Sequence, residues 1–365
     1  MSLEIGIVGL PNVGKSTLFN ALTRAGAQVA SYPFTTIEPN VGVVPVPDDR
    51  LDKLAALVRP EKVTPTTIRF VDIAGLVKGA SQGEGLGNQF LGHIRSVDAI
   101  AMVVRCFRAE DIPHAADTLD PRTDIEVINL ELALADLSTV ENRLEKVKTA
   151  SKGRAKEYDS ELALLGRLKQ TLSRGERAEG VAVAAEEESI LISYGLLTTK
   201  PQLYVANVDD QALLEGDGLI RAVEDAAEEA GVQMVKICAQ LEADLVEWPP
   251  EDAAGYRAEL GIEESGLERV ISAGYRVLNL VTFFTATGGR ELRAWTVGDG
   301  ASAWEAAGKI HTDMQKGFIR AEVVSCEALL AAGSLAAARE RGLIRLEGRD
   351  YVIQDGDVVH FRFNV

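Results

Sequence analysis

Glu4-Ile-Gly-Ile-Val-Gly-Leu-Pro-Asn-Val-Gly-Lys-Ser-Thr17 decides the fold. A short apolar strand runs into Gly9-Leu-Pro-Asn-Val-Gly14-Lys15-Ser16, which satisfies G-x-x-x-x-G-K-[ST] at every fixed position. The following Thr17-Leu-Phe-Asn-Ala-Leu-Thr-Arg reads as a helix. A strand, a glycine-rich turn and a helix are the frame a phosphate-binding loop requires. Gly9 and Gly14 let the backbone curl with its N–H groups inward, making an anion nest at a helix N-terminus. Lys15 brings a full positive charge to the β- and γ-phosphates. The Ser16 hydroxyl is a suitable hard ligand for Mg²⁺. The alternative is a glycine-rich turn with no ligand.

A second element supports the first. Phe70-Val-Asp72-Ile-Ala-Gly75 is an apolar strand ending in D-x-x-G. A carboxylate at that strand end can hold Mg²⁺ through water, and the Gly75 N–H can sense a γ-phosphate. Between the two lies Tyr32-Pro-Phe-Thr-Thr36-Ile-Glu-Pro-Asn, a proline-punctuated loop in which Thr36 would complete the Mg²⁺ shell. The expected metal ligands are therefore Ser16, Thr36 and Asp72. Taken alone, Thr36 would be an ordinary loop threonine.

The bulk numbers bound the rest. A chain of 365 residues with 46% hydrophobic content can bury more than one core. A formal charge of −17 argues against a wholesale polyanion-binding surface, so any nucleic-acid contact must come from local basic patches. Cys106, Cys238 and Cys326 are far apart and outside any C-x-x-C pattern, the usage of reduced thiols in a cytoplasmic protein. No signal peptide or membrane-length apolar run is visible, so no membrane partner is expected. The four histidines lack metal-ligand spacing.

Strand-like runs at 4–9, 68–73 and 99–106 are separated by helical stretches, which implies a mostly parallel sheet. The pattern resumes with Gln202–Val208 and Val232–Ala239. The reading is an α/β nucleotide-binding domain made of residues 1–121 and 200–280. A helical insert, 122–199, carries an apolar seam of Leu130, Ala133, Leu137, Val140, Leu144 and Val147. A return helix bearing Leu165, Leu168 and Leu172 would pair with it as an antiparallel coiled coil. Its turn carries Arg143, Lys146, Lys148, Lys152, Arg154 and Lys156, either a solvated tip or an RNA-phosphate contact. From 281 to 365 short strands surround one alanine-rich helix near Ala303–Ile310. His311 and His360 there read as structural.

At this point the chain resembles, from end to end, the YchF or Obg-like ATPase family within the Obg group of translation-factor-related P-loop NTPases. The resemblance is carried by the phosphate loop and by Asp72-Ile-Ala-Gly-Leu-Val-Lys-Gly-Ala, Gly83-Glu-Gly-Leu-Gly-Asn-Gln-Phe-Leu and Asp124-Ile-Glu-Val-Ile-Asn. C-terminal carriers are Arg293-Ala-Trp-Thr, Ala307-Gly-Lys-Ile-His-Thr-Asp and Lys316-Gly-Phe-Ile-Arg-Ala-Glu. It implies a P-loop G domain, an inserted coiled-coil domain and a C-terminal β-grasp TGS module. It also implies ATP hydrolysis in preference to GTP and binding to the ribosome, through the large subunit or the whole particle, with rRNA contact.

The resemblance also implies site residues. Asn12, Val13, Gly14, Lys15, Ser16, Thr17 and Gly75 would hold the phosphates. Asn12 is similar to the asparagine that holds K⁺ in potassium-assisted members of the superfamily. G proteins read guanine with Asn-Lys-x-Asp, but here the strand end is Asn207-Val208-Asp209-Asp210. The family pattern is Asn-x-x-Glu. Asn207 matches it, and Val208 removes the lysine wall of a guanine slot. Asp210, the shorter acid, is what a guanine reader would want, so the GTPase alternative stays open. Cys238 and Ala239 would form the last loop near the base. Leu76 follows D-x-x-G where many G proteins place a water-orienting Gln, and the resemblance points to His114 as the catalytic substitute. His93 is the nearest competitor. A third reading is an RNA-binding scaffold with a vestigial NTPase, against which intact Lys15, Ser16, Thr36 and Asp72 speak.

Overall fold

The computed structural model describes residues 3–25, 28–29, 40–73, 86–109, 118–151, 155–287 and 290–364. The chain forms two compact units, residues 1–44 with 69–274 and residues 45–68 with 275–365. The sequence reading kept all of 1–121 in the nucleotide-binding domain and began the last domain at 281. The short stretch 45–68 belongs instead with the C-terminal unit, for a reason its side chains supply below.

The first unit is built on a seven-stranded sheet. In chain order its early elements are β1 (Glu4–Val8), α1 (Lys15–Arg24), β2 (Gln28–Val29) and β3 (Asn40–Pro45). The chain then makes α2 (Asp49–Val58) and β4 (Lys62–Thr64), followed by β5 (Thr67–Asp72), α3 (Leu86–Ser96) and β6 (Ala99–Cys106). Three helices follow, α4 (Pro121–Ala150), α5 (Ala155–Leu172) and α6 (Ala185–Tyr194). The sheet resumes with β7 (Gln202–Val208), α7 (Asp210–Glu215), α8 (Gly218–Ala230) and β8 (Gln233–Ile237). Helices α9 (Ala239–Leu245), α10 (Pro250–Glu259) and α11 (Gly266–Val277) come last.

Strand order is β2-β3-β5-β1-β6-β7-β8. β1 lies parallel between β5 and β6, β6 is parallel to β7, and β7 to β8. All eight residues of β6 and all seven of β7 are buried, as expected of parallel strands covered on both faces. The sheet interrupted by the helical insert is therefore continuous, and its C-terminal strand ends bring residues 9, 72 and 207 to one edge.

The insert is held open by a long helix. Asp120 caps α4 by accepting from the N–H groups of Arg122 and Thr123, and Pro121 occupies the first turn, where its missing N–H costs nothing. Thirty residues at 1.5 Å each make a rod about 45 Å long. Ala133, Val140 and Val147 pack with Leu164, Leu165, Leu168 and Leu172 in one buried cluster, with Leu137 and Leu144 at its border. Leu130, which the spacing placed in the seam, is 47% exposed and lies outside it. At the base of the arm the buried Asp136 carboxylate accepts from the N–H groups of Leu197 and Thr198 and from the Thr198 hydroxyl. That capped turn ties α4 to the strand that restarts the sheet.

The second unit is a six-stranded sheet in the order β12-β11-β13-β9-β10-β4. Its remaining elements are β9 (Leu280–Thr287), β10 (Glu291–Gly298), α12 (Ala303–Ile310), α13 (Thr312–Lys316) and β11 (Phe318–Ser325). They continue with α14 (Cys326–Ala332), α15 (Leu335–Glu340), β12 (Arg345–Glu347) and β13 (Asp357–Phe363). This is the β-grasp module, with α12 where the sequence placed its single helix and three more helices the sequence reading did not separate. Successive residues of a strand face opposite ways. Phe283 accordingly packs with Ala303, Ala306 and Ala307, whereas Phe284 packs with Leu51, Leu54 and Leu329. Leu51 and Leu54 lie on α2. Their burial against the second face, with β4 parallel to β10, is why 45–68 sits in this unit.

Leu168 is fully buried in the arm, so Leu168→Ala is expected to cost about 2–5 kcal/mol. Leu130→Ala should change stability by no more than about 0.5 kcal/mol. Denaturant midpoints followed by far-ultraviolet circular dichroism check both, and equal losses would restore Leu130 to the seam.

Candidate nucleotide site

The loop after β1 turns on two left-handed residues, Asn12 with φ 63° and Gly14 with φ 95°. Gly14 has no alternative. A Cβ there would lie 2.2 Å from the Asn207 amide nitrogen, and the backbone conformation itself disfavours a side chain. Gly9 is similarly confined, since a Cβ would lie 2.6 Å from the Val103 carbonyl oxygen. Gly14 is the N-cap of α1 and no side chain caps the helix. The first N–H groups of a helix have no intrahelical acceptor, so this end is left with donors for an external anion.

Lys15 is 8% exposed and its ammonium donates to the Leu10 carbonyl at 2.8 Å, folding back across the loop. Burial pushes its pKa down to about 8, while the nearby Asp72 carboxylate works the other way. Asp72 sits at the C-terminal end of β5. Burial raises its pKa above the usual carboxylate range, opposed by Lys15 and by the Ser16 hydroxyl. Ser16 Oγ lies 3.5 Å from Asp72 Oδ2. The two predicted metal ligands within the described residues therefore converge at the loop mouth. A hydroxyl and a carboxylate are the hard oxygen donors that suit Mg²⁺, which usually completes its shell with water and substrate phosphate. Among the described residues no three His, Cys, Asp or Glu side chains form a metal cage. Thr36, Gly75 and His114 lie outside the described residues.

The residues expected near the base converge as well. Asn207, 5% exposed at the end of β7, donates from Nδ2 to the Val13 carbonyl at 2.9 Å. Its Oδ1 accepts from the Ala239 N–H at 3.0 Å. One side chain thus joins the phosphate loop, the end of β7 and the start of α9. Val208 is 2% exposed, so its side chain belongs to the core and the strand end offers chiefly backbone. Asp210 opens α7, where the Cys238 thiol donates to its Oδ1 at 3.2 Å. Cys238 caps α9, accepting at Sγ from the Leu241 N–H, and burial pushes its thiol up to about 12. All three cysteines are free and buried. His93 lies half-buried on α3.

Sequence reasoning missed Arg105. It is 3% exposed in β6, in register with Asn207. Its guanidinium donates to the carbonyls of Phe107 and Ala109 and lies 4.6 Å from the Phe107 ring. It thereby shapes the chain leaving β6. The available signal was a charged residue inside the apolar run Ala99–Cys106.

A parallel sheet that delivers such a loop to an uncapped helix end, with an ammonium and a hydroxyl–carboxylate pair at its mouth, is the architecture of P-loop NTPases, and the chain is of that class. A family model described as a 50S ribosome-binding GTPase matches residues 4–146. A second, the YchF-GTPase C-terminal model, described as a protein of unknown function, matches 280–364. The chain is 53% identical over 365 residues to the ribosome-binding ATPase YchF of Haemophilus influenzae, covering 100% of both chains. It is 51% identical over 367 residues to the protein of the same name from Bacillus subtilis, again with 100% of both covered. Among solved structures, the YchF GTPase of Schizosaccharomyces pombe superposes with a TM-score of 0.88 at 35% identity, over 99% of this chain and 98% of that one. The chain belongs to the YchF family.

The buried lysine makes nucleotide affinity depend on pH. With its pKa lowered by burial to about 8, Lys15 is expected to lose its proton above that pH in the nucleotide-free protein, and bound phosphate is expected to restore the charge. ATP affinity should therefore fall as pH rises from 7 to 9.5, by up to roughly tenfold per pH unit above the free-state pKa. Titration calorimetry in buffers of different ionisation enthalpy should show proton uptake on binding above pH 8. Lys15→Met should bind weakly and without this pH dependence.

Proposed function

We propose that this chain is a ribosome-associated ATPase, hydrolysing ATP to ADP and phosphate as a translation-linked switch in the cytoplasm. The single observation that carries the reading is the strand end at Asn207-Val208. There the loop-pinning amide is retained and the lysine of a guanine slot is replaced by a buried valine. The names of the relatives support the same substrate and partner. Asn12, Val13, Gly14, Lys15, Ser16 and Thr17 would enclose the phosphates, with Gly75 at the γ-phosphate. Asn207, Val208, Asp210, Cys238 and Ala239 would surround the base.

Phosphoryl transfer needs charge neutralisation and an oriented water more than covalent chemistry. Ser16, Asp72 and Thr36 would hold Mg²⁺, which would supply positive charge to offset that of the phosphates. K⁺ beside Asn12 would add a second cation. His114 would orient the attacking water. At the ribosome the arm would meet rRNA of the large subunit or of the whole particle. Arg143 is already paired with Glu161, so Lys146 and Lys148 are the stronger candidates among the described basic residues.

A GTPase of the same fold is the second reading, favoured by Asp210 at the edge of the base-proximal cluster. Competition between ATP and GTP for the wild-type chain decides between them, and tighter GTP binding would overturn the ATPase reading. Val208→Lys, with Asp210 in place, should shift preference toward GTP if base choice resides at this strand end.

Binding and chemistry separate in a second experiment. His114→Ala should leave ATP affinity near wild type and slow single-turnover hydrolysis at least roughly tenfold. An unchanged rate removes His114 from the step and makes His93 the next residue to change.

A further inference from the structure

A cleft of about 500 Å³ opens between α3, α4 and α6, and none of its lining residues belongs to the nucleotide site. Its walls carry Arg95, Arg143 and Lys146 together with Thr139, Asn142 and Tyr194. Among the described residues no carboxylate lines it, in a chain whose formal charge is −17. The α4 residues fall at i, i+3, i+4 and i+7, so they share one face of the helix.

The two guanidinium groups are held in place before any ligand arrives. Arg95 Nη2 donates to Thr139 Oγ1 at 3.3 Å. Arg143 donates from Nε to Glu161 Oε1 at 2.9 Å and lies 5.8 Å from the Tyr194 ring, whose hydroxyl donates to the same oxygen at 2.9 Å. Glu161 therefore offsets Arg143. The Asp136 carboxylate feels the charge of Arg95, but it is buried and already accepts from Leu197 and Thr198. Lys146 is exposed and makes no ion pair with a described residue. Two pre-oriented guanidinium groups on a concave wall, plus one ammonium with no described ion-pair partner, suit phosphate oxygens and penalise an apolar ligand. Along α4, Thr139 and Lys146 are seven residues apart, a rise of about 10 Å. One phosphate cannot bridge that distance, whereas a linked pair or triplet can reach from Arg95 toward Lys146.

We propose that this cleft is a second anion site that binds a small oligophosphate-bearing ligand, separate from the nucleotide in the phosphate loop. The volume is within the usual range for small-ligand sites, about 300–1,000 Å³. The short span between three helices favours a compact ligand over an extended RNA strand.

The test uses the full-length chain carrying Lys15→Ala, without Mg²⁺, so that the phosphate loop competes little. Calorimetry with inorganic tripolyphosphate should show saturable binding at one site, weakened by added salt. Lys146→Met and Arg95→Gln, each added to that background, should weaken binding at least roughly tenfold, the effect of losing a charged hydrogen bond. Lys148→Met, an exposed lysine outside the cleft, should leave it unchanged. Lys146 is exposed on its helix, so its variant reports on the site even if Arg95→Gln loosens α3. Absence of saturable binding, or equal binding by wild type and Lys146→Met, overturns the proposal. So does an equal loss in Lys148→Met. Binding of a short single-stranded RNA through Lys146, with no binding of tripolyphosphate, would instead make the cleft a nucleic-acid surface. The outcome does not depend on whether ATP or GTP is the nucleotide hydrolysed.

Discussion

The buried amide of Asn207 holds three chain segments at once. Its nitrogen is spent on the Val13 carbonyl and its oxygen on the Ala239 N–H, while Gly14 lies directly against it. Each of those backbone groups sits where the sheet's strands end, in a region with little water to take over a lost bond. An unpaired buried carbonyl or N–H costs about 1–3 kcal/mol, so the three segments keep their spacing together or lose it together. The phosphate loop is therefore positioned by a residue almost two hundred positions away in sequence. The glycine at position 14 is required twice, by its backbone angle and by the amide it touches.

That placement creates the electrostatic character of the loop mouth. Burial works against charge on both Lys15 and Asp72, lowering one pKa and raising the other. Each partly relieves the other, and Lys15 also leans on the Leu10 carbonyl. A site that bears desolvated charge without full compensation gains when a polyanion and its cation arrive together, because both imbalances are corrected in one event. The uncapped end of α1 adds donors on the same side.

The same device recurs as structure elsewhere. Asp136 caps the turn at Leu197 and Thr198, and Glu242 accepts from the Gly266 N–H and the Ser265 hydroxyl. Both are buried acids satisfied by backbone and hydroxyl donors, with the Arg257 guanidinium added at Glu242. In each case a carboxylate fixes where a distant segment resumes: the strand that follows the arm, and the helix that closes the first unit. The arm can therefore project from the sheet without loosening it.

Local pattern determined a large part of this molecule. The four fixed positions of the phosphate loop, the apolar strand before Asp72 and the heptad-like spacing of Val140 and Val147 each depend on neighbours within a few residues. Those features were legible because strand and helix periods write themselves into a short stretch of chain. Tertiary structure decided the rest. Residues 45–68 read as part of the first domain, and only the burial of Leu51 and Leu54 beside Phe284 assigns them to the second. Leu130 has the spacing of a seam residue but is exposed, since periodicity defines a face and not the length over which a partner covers it. Arg105 and the two hydrogen bonds of the Asn207 side chain were equally hidden. A hydrogen bond between residues far apart in sequence leaves no periodic trace, because its energy depends on a distance that exists only after the sheet has formed.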